Sequence, residues 1–334
     1  MTAPAVPTLK MVAAVAGVSK STVSRVVNDS PNVTPEAVAA VSAAIEQLGY
    51  SPNRAARTLV SRRTQTLALV IPENTTTFFT DPYFASVIQG AATRVSETEY
   101  ALALLIAGGA EDKTRRYLRA GNVDGALVLS HHSDDHAYAH LSGGLPLVFG
   151  GRPMSAAGTS PCYVDVDNEE AAATVTRRLL TAGRRRIATV TGPQDMGAGV
   201  DRLAGWRRAL AEAGRPDDLV EHGDFSLASG AEATRRLLGR GERFDGLFVA
   251  SAQMASGALS VLREHGLVAP RDLGVVTIDD DYFAATSTPP LTTVAQPTLE
   301  VGRRMADVLI GLVEDRPVER VTILATDVVA RGSE

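Results

Sequence analysis

Between Thr8 and Asn28 the chain carries two short apolar faces joined by a tight turn, and no other stretch constrains it as much. Met11, Val12 and Val15 fall on one side of a first helix, and Val23, Val26 and Val27 on one side of a second, with Ala16-Gly17-Val18-Ser19 between them. Gly17 permits the left-handed conformation that ends a helix, and Ser19 can accept backbone N–H bonds where the next begins. Helices this short do not hold in water alone, so the two must pack together. The outward side of the second bears Lys20, Ser21, Ser24, Arg25 and Asn28, all hydrogen-bonding and none acidic. Such a face fits the major groove of DNA, and the pair reads as a helix-turn-helix.

Charge agrees with that placement. Residues 1–64 hold seven Lys/Arg against three Asp/Glu, a balance of +4, whereas the rest holds 26 against 35, a balance of −9. Only the N-terminal module suits a polyanion. At 334 residues, 45% apolar, the chain can bury more than one core. Cys162 is the only cysteine, which excludes an intramolecular disulfide and suits a reducing compartment. No apolar run approaches the roughly 20 residues of a membrane span, and Met1 to Pro7 lacks the features of a secretory signal, so a cytoplasmic protein with no membrane partner is expected. Neither G-x-S-x-G nor a P-loop nor a nucleophile–base pair points to an enzyme, and no cofactor is expected.

Beyond the first two helices, Thr34-Pro35-Glu36 starts a third, with Val38, Val41, Ile45 and Leu48 at helical spacing up to Gly49. Ser51-Pro52-Asn53 breaks the chain before Arg54 to Val60, a basic segment of about two turns that is marginal as an isolated helix and suited to folding on DNA. From Leu67 the pattern changes. Apolar runs at Leu67–Ile71, Ala101–Ile106, Gly125–Leu129, Leu145–Phe149, Ile187–Thr191, Phe244–Val249 and Leu273–Ile278 alternate with helical stretches such as Phe84–Val95, Glu169–Leu180, Ala204–Ala213, Ala231–Leu238 and Ala255–Glu264. Strands buried on both faces and joined by helices imply parallel, doubly wound sheets. They are too many for one sheet. An α/β body of two such subdomains, split near residues 150–165 with a cleft between strand ends, is expected. The divisions are 1–50 for the headpiece, 51–64 for a hinge and linker, and 65–334 for the body.

Val15-Ala-Gly-Val-Ser19, Thr22-Val-Ser-Arg-Val-Val-Asn28 and Leu48-Gly-Tyr-Ser-Pro-Asn53 in the headpiece, with Arg202-Leu-Ala-Gly-Trp206, Gly274-Val-Val-Thr-Ile-Asp-Asp280, Pro290-Leu-Thr-Thr293 and Arg331-Gly-Ser333 in the body, resemble the LacI/GalR family of bacterial repressors nearly end to end. The resemblance implies a periplasmic-binding-protein-like effector domain and a homodimer on a near-palindromic double-stranded operator, controlled by a sugar or related small molecule. It also implies DNA contacts from Thr8, Ser19, Lys20, Ser21, Ser24, Arg25, Asn28, Asn32, Thr34, Tyr50, Asn53, Ala56 and Leu59. Arg25 can fork onto guanine, Lys20 and Ser21 choose the operator, and the hydroxyl and amide residues grip phosphate or act only as caps. Leu59 either packs on its own headpiece or partner linker, or wedges into the minor groove with Ala56 near the groove floor.

On the effector side the resemblance points to Arg202 and Asp279 as hydrogen-bonding residues, with a mutual ion pair as the alternative. Phe225 would cover one ligand face, with Tyr83 and Phe84 opposite unless Phe84 is core. Ser130, His131, Met196 and Ser251 complete the set. Ala252, Gly150-Gly151, Met196 and Ala198 stand where sugar-binding members often have polar residues. A cleft less polar than a monosaccharide requires is therefore expected, with room for a larger or more apolar ligand. His132, His136 and His140 have i, i+4, i+8 spacing, which leaves open a metal site, solvent-exposed histidines or a loop beside the cleft.

Overall fold

The computed structural model describes residues 7–27, 30–50, 63–108, 111–133, 144–154 and 161–334. The chain divides into two compact units, Met1–Thr64 and Gln65–Glu334. In the first, α1 (Leu9–Ala16), α2 (Lys20–Val27) and α3 (Pro35–Leu48) enclose a small core of Val12, Ala13, Val23, Val41, Ala44 and Tyr50. The buried stripe of α1 differs from the expected one: Met11 and Val15 are exposed, and Leu9, Val12, Ala13 and Ala16 face inward at i, i+3, i+4, i+7. Val38 is likewise exposed, so α3 relies on Val41, Ala44, Ile45 and Leu48. Side-chain caps set the helix starts. Thr8 accepts the Met11 N–H at 3.4 Å and Thr34 that of Ala37 at 3.4 Å, while Gly17 ends α1 at φ +67. The expected DNA contacts at Asn28, Asn53, Ala56 and Leu59 lie outside the described residues, as do His136 and His140.

The body contains two six-stranded sheets. The first, in order β11-β5-β4-β3-β1-β2, is parallel throughout and comprises β1 (Thr66–Ile71), β2 (Ala101–Ile106), β3 (Gly125–Leu129), β4 (Leu147–Gly150), β5 (Cys162–Val166) and β11 (Val321–Leu324). The second, in order β12-β10-β9-β8-β6-β7, comprises β6 (Ile187–Thr191), β7 (Val220–His222), β8 (Gly246–Val249), β9 (Gly274–Ile278), β10 (Thr292–Ala295) and β12 (Asp327–Val329), with only β10–β12 antiparallel. Strands β3, β6, β8 and β9, and β1 from Leu67 on, are fully buried runs, as helices on both faces of a parallel sheet require.

Helices on the first sheet are α4 (Thr75–Thr80), α5 (Pro82–Ser96) and α6 (Glu111–Arg119); the second carries α7 (Asn168–Thr181), α8 (Gly197–Glu212), α9 (Leu227–Gly239), α10 (Ala252–Glu264) and α11 (Tyr282–Thr286). The last helix, α12 (Thr298–Val313), returns to the first subdomain and packs Val301, Met305 and Leu309 into its core. Because β5 still belongs to the first sheet, the chain crosses after residue 166, later than expected, and it crosses back before α12. Close backbone approach fixes this packing. A Cβ on Gly302 would come within 1.9 Å of the Val87 carbonyl oxygen, and one on Gly205 within 2.0 Å of that of Glu169.

Both sheets have the 2-1-3-4-5 type of strand order, so each reverses direction beside its first strand. Ligands bind outside the carboxyl ends of strands at such points. Glu73 and Ser130 follow β1 and β3 in one sheet, and Met196 and Ser251 follow β6 and β8 in the other.

Candidate functional site

On the headpiece, Lys20, Ser21 and Arg25 are exposed on α2, as is Asn32 after it, and Ser24 is half-buried. The Ser19 hydroxyl caps the Thr22 N–H at 3.1 Å and shares hydrogen bonds with Ser21 at 2.7 Å and Thr22 at 2.8 Å, which favours its role in shaping the turn. Tyr50, expected at DNA, is 8% exposed and belongs to the headpiece core cluster.

All nine residues expected around an effector, Tyr83, Phe84, Ser130, His131, Met196, Arg202, Phe225, Ser251 and Asp279, border one cavity in the body. Arg202, on α8 and 5% exposed, donates from Nε to Asn168 Oδ1 at 2.9 Å and from Nη1 to the Ala250 carbonyl at 2.6 Å, with its guanidinium 5.6 Å from the centre of the Phe225 ring. It does not pair with Asp279. That carboxylate instead accepts a hydrogen bond from Gln296 Nε2. Ser130 (φ +53), Phe225 (φ +70) and Asp279 (φ +81) are three of the five non-glycine residues with left-handed backbone among those described. Such strain persists where surrounding structure over-determines it, typically at a ligand site.

Several side chains are already engaged. The Ser130 hydroxyl donates to Glu73 at 2.6 Å, Ser251 caps α10 through the Met254 N–H at 3.3 Å, and His131 Nε2 lies 3.2 Å from the Gly151 carbonyl with its ring edge-on to Phe149. Phe84 lines the cavity but is 3% exposed and belongs to the core.

The cleft nevertheless carries polar groups that the local motifs do not announce. Asp81, Arg152, Asp165, Asn168, Gln253, Asp281 and Gln296 also line it, and none was singled out in the sequence. Asp165 explains the missing acid beside Gly151. It projects from β5, accepts the N–H of Arg152 at 2.7 Å, that of Val166 at 2.7 Å and Asn168 Nδ2 at 2.9 Å, and a Cβ on Gly151 would lie 4.0 Å from its Oδ2. The acid is supplied by the neighbouring strand. Burial pushes the Asp165 carboxyl up, while its N–H donors and Arg202 oppose the rise.

Carboxylates crowd the mouth. Burial pushes Asp81 up to about 7 against the N–H of Tyr83, and Asp279 and Asp281 add repulsion. Asp281 is pushed up to about 6 by burial and then by the charge of Asp279.

Two ionic ties join the subdomains across the cleft. Arg152 forks onto Asp201 of α8 at 2.6 and 3.0 Å. His132 bonds Glu73 at 3.1 Å within its own subdomain and Asp195 at 2.8 Å across the gap, reinforced by the Ser133 N–H donating to the Asp195 carbonyl at 2.7 Å. Hydrogen bonding to Glu73, then to Asp195, holds the imidazole at about 9, so it is charged at neutral pH. The histidine-spacing reading thus resolves for His132 as an ionic tie. Among the described residues no cluster of acid, histidine or cysteine groups could hold a metal ion, and no helix is long and apolar enough to cross a membrane.

A helix-turn-helix headpiece followed by a two-subdomain body with a polar cleft defines a DNA-binding regulator. Residues 8–53 match the family model of bacterial regulatory proteins, lacI family, and residues 176–334 match a periplasmic binding protein-like domain. The chain is 45% identical over 333 residues to the HTH-type transcriptional regulator CelR of Thermobifida fusca, covering 98% of each chain. Among solved structures it is similar to a CelR–cellobiose complex, with TM-score 0.78, 42% identity, and coverage of 98% of this chain and 100% of that one. It also matches a lac repressor dimer bound to operator and the anti-inducer ONPF, with TM-score 0.84, 26% identity and 98% coverage of both. The chain belongs to the lacI family. It is a transcriptional regulator rather than an enzyme.

Proposed function

We propose that the protein is a cytoplasmic repressor that binds a near-palindromic operator as a homodimer and responds to a neutral sugar of disaccharide size, with cellobiose as the leading candidate. The buried Arg202, fixed between Asn168 and Ala250 over the Phe225 ring, carries this reading. It offers a fixed donor beside an aromatic face, and Asp165, Asp279 and Gln296 supply partners for several buried hydroxyls. Similarity to a cellobiose-bound relative supports the choice of sugar. Lys20, Ser21 and Arg25 would read bases, Thr8, Ser19, Ser24, Asn28, Asn32 and Thr34 would position the headpiece, and residues 51–64 would form the hinge, with Asn53, Ala56 and Leu59 at the DNA.

A ligand shifts DNA affinity only through its differential affinity for two states of the body. An operator selected from random DNA should therefore change occupancy when cellobiose is added. Asp279→Ala should remove that response and leave ligand-free operator affinity within a few fold, since the headpiece is untouched. A variant that responds as the wild type does would place the ligand elsewhere.

A further inference from the structure

A second cavity adjoins the cleft and shares Tyr83, Asp279, Asp281 and Gln296 with it. Beyond those residues it is lined by Pro82, Ser86, Thr298, Asp280 and Tyr282. We propose that this outer cavity is a sugar subsite, so that the effector is an oligosaccharide continuing past the ring or rings held beside Arg202; this rests on the sugar reading above.

Its chemistry matches a sugar ring. Tyr282 is 70% exposed, with its ring set edge-on to Phe283 at 5.8 Å, and offers an apolar face to the C–H side of a pyranose. The paired hydroxyls of Ser86 and Thr298, 2.6 Å apart, bridge α5 and α12 at the wall. Each retains hydrogen-bonding capacity toward a ligand. The Tyr83 hydroxyl, between the two cavities, has no hydrogen-bond partner among the described residues, so a ligand spanning both would supply one. No basic side chain lines the outer cavity, and its carboxylates disfavour an anion. The uncharged groups of Ser86, Thr298 and Gln296 beside the Tyr282 ring suit a neutral polyhydroxylated chain.

Calorimetric titration with glucose, cellobiose and cellotriose tests this. In the wild type, the added ring that reaches the outer cavity should tighten binding on the order of tenfold. Tyr282→Ala should erase that step and leave the shorter sugar's affinity unchanged, while Tyr282→Phe should keep it; truncation at so exposed a position spares the core. Equal increments in the wild type and Tyr282→Ala, or weaker binding on lengthening, would overturn the subsite while leaving the sugar reading intact. If sedimentation shows that Tyr282→Ala shifts self-association with the increments unchanged, the face belongs to a second copy of the chain and the subsite is again overturned. If none of the three sugars binds, the sugar reading fails and the subsite with it.

Discussion

Asp195→Asn isolates the ionic part of the His132 tie, because the amide oxygen can still accept the imidazole hydrogen bond. Raising His132 from 6.5 to about 9 corresponds to roughly 3 kcal/mol of preference for the charged form, shared between Glu73 and Asp195. Asp195 is 47% exposed and contributes the smaller part, so solvent screening reduces its share to about 1 kcal/mol. For a body of this size that loss lowers the thermal midpoint by about 2–4 °C at pH 7. The sign is fixed by linkage. A histidine whose folded value is raised stabilises fully below its unfolded value of 6.5, and the contribution is lost as pH climbs through about 9. Melting curves of wild type and variant should therefore differ at pH 6–7 and converge by pH 10. Comparing the two at each pH cancels the titration of every other group. Equal midpoints at pH 7, or a gap that persists unchanged to pH 10, would refute the assignment of His132 as a charged tie.

Two further outcomes are expected. Arg25→Ala, on the exposed side of α2, should weaken operator binding by about 1–3 kcal/mol and relax preference at one base pair per half-site, read by anisotropy on single-substituted operators; uniform weakening would make Arg25 a phosphate contact. Gly302→Ala should destabilise the body by about 1–3 kcal/mol in denaturant titration, because its Cβ would collide with the Val87 carbonyl and force α5 from α12; an unchanged midpoint would show that the helix pair separates freely.

How much of this was legible in the sequence follows from what each element buries. Apolar-rich runs mark most strands, and Ala101–Ile106, Gly125–Leu129 and Ile187–Thr191 have the limits that the sequence pattern predicts. Strands β11 and β12, at sheet edges, keep exposed residues such as Val321, Ile323 and Val328 and give no such run. Strand β5 interleaves Tyr163 and Asp165 among apolar residues, so neither the strand nor its carboxylate stood out. The buried stripe of α1 lies one position from the predicted one because Ala13 and Ala16, which face the core, carry little hydrophobic signal.

The cleft divides along the same line. Arg202, Phe225 and Asp279 were found because local motifs hold them, whereas Asp165 reaches the site through strand pairing and fills space that a local comparison left empty at Gly151. A missing acid in one loop can therefore be made good where an adjacent parallel strand ends at the same level. In a parallel sheet every strand delivers its next residue to the same edge, so the polar inventory of a site belongs to all the strand ends together. The left-handed backbone at Ser130, Phe225 and Asp279 has a related origin: each turns the chain away at that crowded edge, a conformation that neither hydrophobic periodicity nor residue preference announces. The strain at these residues is paired with contacts around them, such as the Thr293 hydroxyl on the Asp279 carbonyl at 3.0 Å, so the edge is fixed by packing before any ligand arrives.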